Sequence, residues 1–106
     1  MTRPRPKKLD HLLQAIQECI NGGNYRDTTH AVQRQKERKI LLPEIIHVLQ
    51  TGIHEKNNDH FEEAFQAWNY AIRGLTIDGL NLRVIISFDN EKDLLIITAF
   101  YLEKRK

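Results

Sequence analysis

The 106-residue chain is predicted to be an α+β domain, with helices from its N-terminal half packed on an antiparallel sheet from its C-terminal half. Two observations favour this class. Apolar residues recur at helical spacing as far as residue 51, whereas from residue 68 onward they alternate with polar residues, as on half-buried strands. The predicted strands are joined by short turns, which connect antiparallel neighbours.

Composition excludes several classes of protein. Charged residues make up 28% of the chain and hydrophobic residues 41%, so it is neither disordered nor fibrous. A single cysteine, Cys19, excludes an internal disulfide framework and a cysteine-based zinc site. The apolar runs are far too short to span a membrane. We therefore expect one cytoplasmic domain over residues 9–102, between a basic flexible tail at residues 1–8 and a charged tail at residues 103–106.

Three helices are predicted, at residues 9–21, 29–39 and 43–51. The first ends at Gly22, because glycine accepts the left-handed backbone that often follows a helix. Thr28 or Thr29 can cap the second helix, which is almost entirely polar and therefore held only weakly by its own packing. Pro43 suits the first turn of the third helix, and Gly52 ends it. The polar second helix is where we expect function.

Three strands are predicted, at residues 68–73, 80–88 and 94–101. Trp68, Tyr70 and Ile72 alternate with polar or small residues, which is the period of a strand. An Asp78-Gly79 turn leads into the next strand. Residues 54–66 fit either a helical turn or a covering loop.

The net charge of +2 is distributed unevenly along the chain. Residues 1–8 carry +4 and residues 24–39 carry +3, whereas residues 40–69 carry −4. A segregated basic half suits a polyanionic partner such as nucleic acid. The same pattern is also typical of solvated surfaces that keep a protein soluble, so the charge leaves both interpretations open.

His30, Arg34 and Arg38 are spaced four apart and share one face of the second helix. Imidazole can move a proton near neutral pH, and guanidinium groups grip phosphate oxygens at any pH. Such a set could remove the proton of an RNA 2′-hydroxyl and stabilise the charge that develops on phosphorus, with no metal ion. The alternative is a surface helix whose arginines pair with acidic neighbours.

The predicted strands add four candidates for contact with a phosphate or base: Arg73, Arg83, Thr98 and Tyr101. The alternative is that the arginines lie on a solvent face and the other two are ordinary strand formers. Trp68 and Tyr70 could stack on bases, although aromatic residues in alternation with Ile72 are typical of a core.

Other potential sites can be set aside. His54 and His60 do not match an established pattern of metal ligands, even with their acidic neighbours. Cys19 lies on the apolar stripe of the first helix and is expected in the core. The sequence therefore predicts no metal site and no cofactor.

Residues 29–40 resemble the S-x-H-A-x-x-R-x-x-x-R-G-I signature of the domain-of-unknown-function family 4258. The helix and strands that follow come in that family's order, so the resemblance covers about residues 26–102. Lys39 stands where the family usually has glycine, which predicts a different turn after the second arginine.

That family is similar to the RelE/ParE-like toxin group within the barnase–EndoU–colicin–RelE fold of metal-independent ribonucleases. The resemblance implies helices packed on a four-stranded antiparallel sheet and a toxin-type role in RNA cleavage. His30, Arg34 and Arg38 match the signature, and Arg83 and Thr98 fall in the matching strands. Relatives in the ParE branch act by binding a protein target.

The leading hypothesis is a metal-independent endoribonuclease of toxin type that cleaves RNA by 2′-hydroxyl transesterification. The residues expected to act in catalysis are His30 as general base or acid, Arg34, Arg38 and Arg83 as phosphate ligands, and Thr98. Arg73 and Tyr101 are expected to contact the substrate. A cognate antitoxin is the expected protein partner. The alternatives are a non-catalytic module that binds protein or nucleic acid, and a structural subunit that forms homodimers through the first helix.

Overall fold

Three α-helices and six β-strands are formed by residues 4–102, the part of the chain that the computed structural model describes. The helices are α1 (Leu12–Gly22), α2 (Thr29–Arg38) and α3 (Leu42–Thr51). The strands are β1 (Tyr25–Asp27), β2 (Ile53–His54), β3 (His60–Glu62), β4 (Ala67–Leu75), β5 (Asn81–Phe88) and β6 (Leu94–Tyr101). A 3₁₀ turn at Lys56–Asn58 lies between β2 and β3.

The strands form a mixed sheet in the order β1-β6-β5-β4-β2, with β3 also paired to β4. The pairs among β4, β5 and β6 are antiparallel, as predicted, and β1 runs parallel to β6. The α+β class is therefore confirmed. The expectation of a four-stranded antiparallel sheet is wrong, because three short strands join the three long ones and one of them is parallel.

The sequence does not predict the strand β1, because its three residues show no alternation of apolar and polar side chains. It is held by backbone hydrogen bonds along the edge of β6. The amide of Leu94 donates to the carbonyl of Asn24 at 2.9 Å, and the amide of Thr28 donates to the carbonyl of Ile96 at 3.2 Å. Pairing stops at Ile96, so the second half of β6 has no β1 residue beside it.

Residues 54–66, ambiguous in the sequence, run along the outer edge of β4. Both β2 and β3 pair with that strand in antiparallel register. Phe61 in β3 is buried opposite Trp68, and their rings meet edge to face at 5.3 Å between centroids. Phe61 therefore anchors this edge strand on β4.

The helix boundaries differ slightly from prediction. The first helix begins at Leu12, because Asp10 and His11 form a turn in which His11 has a left-handed φ of 55°, and the amide of Leu9 donates to the hydroxyl of Tyr70 at 2.9 Å. Lys39 takes the left-handed conformation, with φ 58°, that glycine usually supplies after a helix. The expectation of a different turn at this position is therefore wrong: Lys39 ends the helix in the conformation that glycine would take.

The helices cover one face of the sheet, and the core lies between them. Side chains at paired positions in antiparallel strands point to the same face. Ile72 and Val84 face each other and are fully buried beneath the helices. Arg73 and Arg83, one residue along each strand, therefore point to the opposite face.

Residues 4–8, part of the predicted flexible tail, lie against β3 and β4. Arg5 pairs with Glu63 at 3.1 Å and Lys8 with Asp59 at 2.9 Å. The indole nitrogen of Trp68 donates to the carbonyl of Pro6 at 2.8 Å. Part of the basic N-terminus thus pairs with the acidic stretch near residue 60. Residues 1–3 and the predicted tail at 103–106 lie outside the described residues.

Among residues 4–102, no helix has both the length and the apolar character needed to cross a membrane.

Candidate nucleic-acid interface

The polar helix α2 is fixed to the sheet at its N-terminus by Thr28. The hydroxyl of Thr28 accepts a hydrogen bond from the amide of Ala31 at 3.1 Å and donates to the carbonyl of Ile96 at 3.1 Å. Of the two threonines considered, Thr28 is therefore the cap. The fully buried Ala31 provides the apolar contact. This attachment lays α2 along the half of β6 that β1 leaves unpaired.

Arg38, in the last turn of α2, reaches that unpaired edge. Its Nη1 donates to the hydroxyl of Thr98 at 3.0 Å and to the carbonyl of Ala99 at 2.8 Å. Two residues predicted from separate parts of the sequence are therefore in direct contact. The hydrogen bonds fix one edge of the Arg38 guanidinium on the sheet.

Phe100 lies between two arginines at this place. It is the register partner of Arg83 across the pair β5–β6. The guanidinium carbons of Arg83 and Arg38 lie 5.7 and 5.8 Å from the centre of its ring. Sequence reasoning missed Phe100, although its position two residues beyond Thr98 on a strand places both on one face.

Glu55 was also missed, and it joins Arg73 to Arg83. Nε of Arg83 donates to one carboxylate oxygen of Glu55 at 2.7 Å. Nε of Arg73 lies 3.0 Å from the other oxygen, but it is buried and poorly aligned for a hydrogen bond, so that contact is mainly electrostatic. Because the two arginines are direct cross-strand partners, the carboxylate between them relieves their repulsion.

We call this surface the arginine face; it comprises Arg38, Arg73, Arg83, Thr98, Phe100 and Glu55. Its three arginines and one carboxylate leave a formal charge of +2. The Arg73 side chain is 40% exposed, and that of Arg83 22%. A cavity of about 430 Å³ opens beside Glu55 and Arg73, lined otherwise by residues of 53–58. The face can hold an anion, since guanidinium groups bind phosphate oxygens through paired N–H donors.

His30 and Arg34 continue this basic surface along α2. Nε of Arg34 lies 3.4 Å from Nε2 of the exposed His30 and donates to it. Nη1 of Arg34 donates to Glu37 at 2.8 Å, and this hydrogen bond lowers the pKa of the Glu37 carboxyl. His30 is two helical turns before Arg38, about 12 Å along the axis. The predicted helix face exists, with Arg38 as its point of contact with the sheet.

Tyr101 is not part of this face. It pairs with Leu82, so it points toward the helices, and its hydroxyl donates to Glu44 of α3 at 3.4 Å. Burial raises the pKa of Tyr101, and the nearby Glu44 carboxylate raises it further. The structure thus separates Tyr101 from the arginines with which it was grouped.

The aromatic residues first considered for base stacking also lie on the helix-covered side. Tyr70 is buried in the core, and Lys8 sits over the ring of Trp68 at 4.8 Å. Together with Phe88 and Cys19, they line a cavity of about 650 Å³ between α1 and the sheet. The Cys19 thiol is buried, as predicted, and burial raises its pKa.

His54, set aside as a metal ligand, belongs to a structural network. Its Nε2 lies 2.8 and 3.1 Å from the two carboxylate oxygens of Asp59. The Asp59 side chain has no exposed surface, and it also accepts a hydrogen bond from the amide of Ala71 at 3.0 Å. This network fixes the 3₁₀ turn to β4, next to Glu55.

A family model described as "Domain of unknown function (DUF4258)" matches residues 28–101. The chain belongs to this family. The DUF4258 region holds all six residues of the arginine face, together with His30 and Arg34. In this DUF4258 protein, α1, β1 and residues 4–8 precede the matched region. No curated protein was found to match the chain.

Proposed function

We propose that this protein is a metal-independent endoribonuclease of toxin type that binds RNA on the arginine face. The observation that carries the proposal is the meeting of Arg38 and Arg83 around Phe100, beside Thr98. Guanidinium groups can bind the phosphate of a nucleotide, and an aromatic ring next to them can stack on its base. The proposal is also supported by the order of the elements and by the signature on α2, which resemble those of RelE-type toxins.

The proposed reaction is transesterification by the RNA 2′-hydroxyl. His30 takes the proton as the 2′-oxygen bonds to phosphorus; the bond from phosphorus to the 5′-oxygen breaks, and the imidazolium returns a proton to the leaving oxygen. Arg34, Arg38 and Arg83 stabilise the charge on the phosphoryl oxygens, and Thr98 positions Arg38. The products are a 2′,3′-cyclic phosphate and a 5′-hydroxyl, and no step requires a metal ion.

A cytoplasmic antitoxin is the protein partner we propose. Its contact surface would carry acidic side chains, since it must cover arginines that otherwise hold phosphate. Covering the arginine face would block RNA without any change in fold.

A binding module without catalysis is the second candidate, and the position of His30 favours it. About 12 Å of helix separates His30 from Arg38, and its Nε2 already accepts a hydrogen bond from Arg34. A phosphate held between Arg38 and Arg83 would then have no general base close to the 2′-hydroxyl of the adjoining ribose. Such a module would bind the same RNA on the arginine face without cleaving it.

Cleavage of mixed RNA in EDTA separates the two candidates. The wild-type protein is expected to cleave, with 2′,3′-cyclic ends on the products, and His30→Ala to lose at least about 100-fold in rate, as when a general acid–base group is removed. His60→Ala, at an exposed histidine of β3, serves as the matched control and should retain activity. Intact RNA with the wild-type protein, together with binding that Arg38→Ala weakens, would favour the binding module.

A further inference from the structure

We propose that the arginine face takes unpaired RNA and that one base stacks on the ring of Phe100. This inference rests on the proposed function, since it specifies which form of RNA the face accepts. It depends on the geometry around Phe100 rather than on the position of His30.

The ring of Phe100 is flanked by its two arginines. Atoms in stacking contact are about 3.5–4 Å apart, whereas the two guanidinium carbons lie 5.7 and 5.8 Å from the ring centre. At that separation the cations lie over the ring and attract it, but neither is stacked closely on it. Phe100 is partly exposed, so its ring is accessible to a ligand.

The surroundings of Phe100 suit a base with its backbone. Arg83 and Ile85 lie two apart on β5, opposite Phe100 and Thr98 of β6. This arrangement forms a patch with one aromatic ring, one partly exposed aliphatic side chain and one hydroxyl. Arg38 and Arg83 lie over the ring, so a base that stacks on Phe100 takes the place of a guanidinium group, which can then hold the phosphate.

An RNA duplex cannot stack one of its bases on the ring of Phe100. Its bases are stacked on each other inside the helix, so only phosphates and sugars would reach Phe100. Single-stranded RNA has bases that can leave their neighbours and stack on an aromatic side chain, and such stacking contributes substantially to binding. The combination of ring and arginines therefore selects the single strand.

The other aromatic residues do not offer this combination. Tyr70 is buried, and Trp68 is covered by Lys8 on the helix side of the sheet. Phe65 is 81% exposed, but it lies in the turn between β3 and β4. Within residues 4–102, Phe100 is the ring that has two guanidinium groups over it.

The test compares the binding of a 2′-O-methyl RNA strand with that of the blunt duplex formed from it, by fluorescence anisotropy at one salt concentration. A 2′-O-methyl strand cannot be cleaved by 2′-hydroxyl attack, so binding is measured alone. We expect the wild-type protein to bind the single strand at least about tenfold more tightly than the duplex. Phe100→Leu should lose about tenfold in affinity for the single strand and little for the duplex.

Three variants separate stacking from a general loss of structure. Phe100→Tyr keeps an aromatic ring and should retain the preference for the single strand. Phe65→Leu changes an exposed phenylalanine away from the arginines and should have no effect. Thermal melting of Phe100→Leu checks that the fold is retained, and unchanged duplex binding provides the same control within the assay.

The outcomes distinguish this inference from the proposed cleavage. Duplex affinity equal to or above that for the single strand, or unchanged binding by a folded Phe100→Leu, would overturn the role of Phe100 even if unmodified RNA is cleaved. Selective binding through Phe100 with intact unmodified RNA would support the inference and refute the nuclease. No binding of either form by the wild-type protein would overturn both.

Discussion

At the scale of single residues, Glu55 and its two arginines depend on one another. The carboxylate side chain is 16% exposed, and the Arg83 side chain 22%. Removing the charge of Glu55 leaves Arg73 and Arg83 directly opposite each other without a counter-ion. Like charges at paired positions of a sheet are unfavourable, and a hydrogen bond to a charged group is among the stronger ones in proteins.

We predict that Glu55→Gln lowers the free energy of unfolding by about 1–2 kcal/mol, because it removes that charge-assisted pairing. Urea unfolding measures the change. Glu63→Gln is the matched control, since the Glu63 side chain is 67% exposed and its ion pair with Arg5 lies on the surface, where such pairs contribute about 0–1 kcal/mol. A loss in Glu55→Gln no larger than in Glu63→Gln would contradict the account of Glu55.

The sequence predicted some residues of the arginine face for physical reasons. The four-residue spacing of Arg34 and Arg38 determines that they share a helix face, whatever else the chain does. Glu55 could not be predicted, because its segment has neither helical nor strand periodicity and its partners are 18 and 28 positions away. Phe100 was predictable by strand alternation alone, once Thr98 was taken as a candidate.

At the scale of elements, the end of α3 packs against β4 through two glycines. A Cβ atom on Gly52 would lie 2.6 Å from the carbonyl oxygen of Arg73 and 2.7 Å from that of Val48. One on Gly74 would lie 3.0 Å from the Cα of Gly52. The obstacles are backbone atoms, so α3 or β4 would have to move. The φ of Gly52 is −82°, which other residues adopt, so close approach rather than conformation requires glycine there.

Gly52→Ala is therefore expected to lower the free energy of unfolding by about 1–3 kcal/mol through overpacking. Thermal or urea unfolding would detect it. Gly22→Ala provides a comparison, since its Cβ would meet only the flexible side chain of Asn24 and should cost much less. Equal stability of the two variants would contradict the close approach of α3 to β4.

A helix or strand could be predicted where its own residues show a periodic pattern of apolar side chains. The apolar periodicities of α1, α3 and the long strands predicted each of them to within a few residues. The strand β1 has no such pattern and forms only because the edge of β6, far along the chain, offers hydrogen bonds to its backbone. Lys39 shows the same limit, since tertiary context overrides its preference against a left-handed conformation.

At the scale of the whole molecule, the sheet separates two kinds of chemistry. One face packs against the helices and against residues 4–8, where Arg5 and Lys8 are paired with carboxylates. The other face, with α2 at its edge, carries arginines that outnumber their carboxylate partner. The uneven charge of the sequence thus has two causes, internal pairing at the N-terminus and a basic surface at the arginine face. The second of these is the basis of the proposed contact with RNA.

The location of that contact can be measured directly by NMR. A ¹⁵N-labelled sample titrated with a single-stranded 2′-O-methyl RNA, which cannot be cleaved, reports each amide and each arginine side chain separately. We predict that the largest shift changes occur at Arg38, Arg83, Thr98 and Phe100, with little change at buried residues of the helix-covered face such as Ile72. Changes confined to the cavity between α1 and the sheet, around Trp68, or no changes at all, would contradict the claim that the arginine face binds RNA.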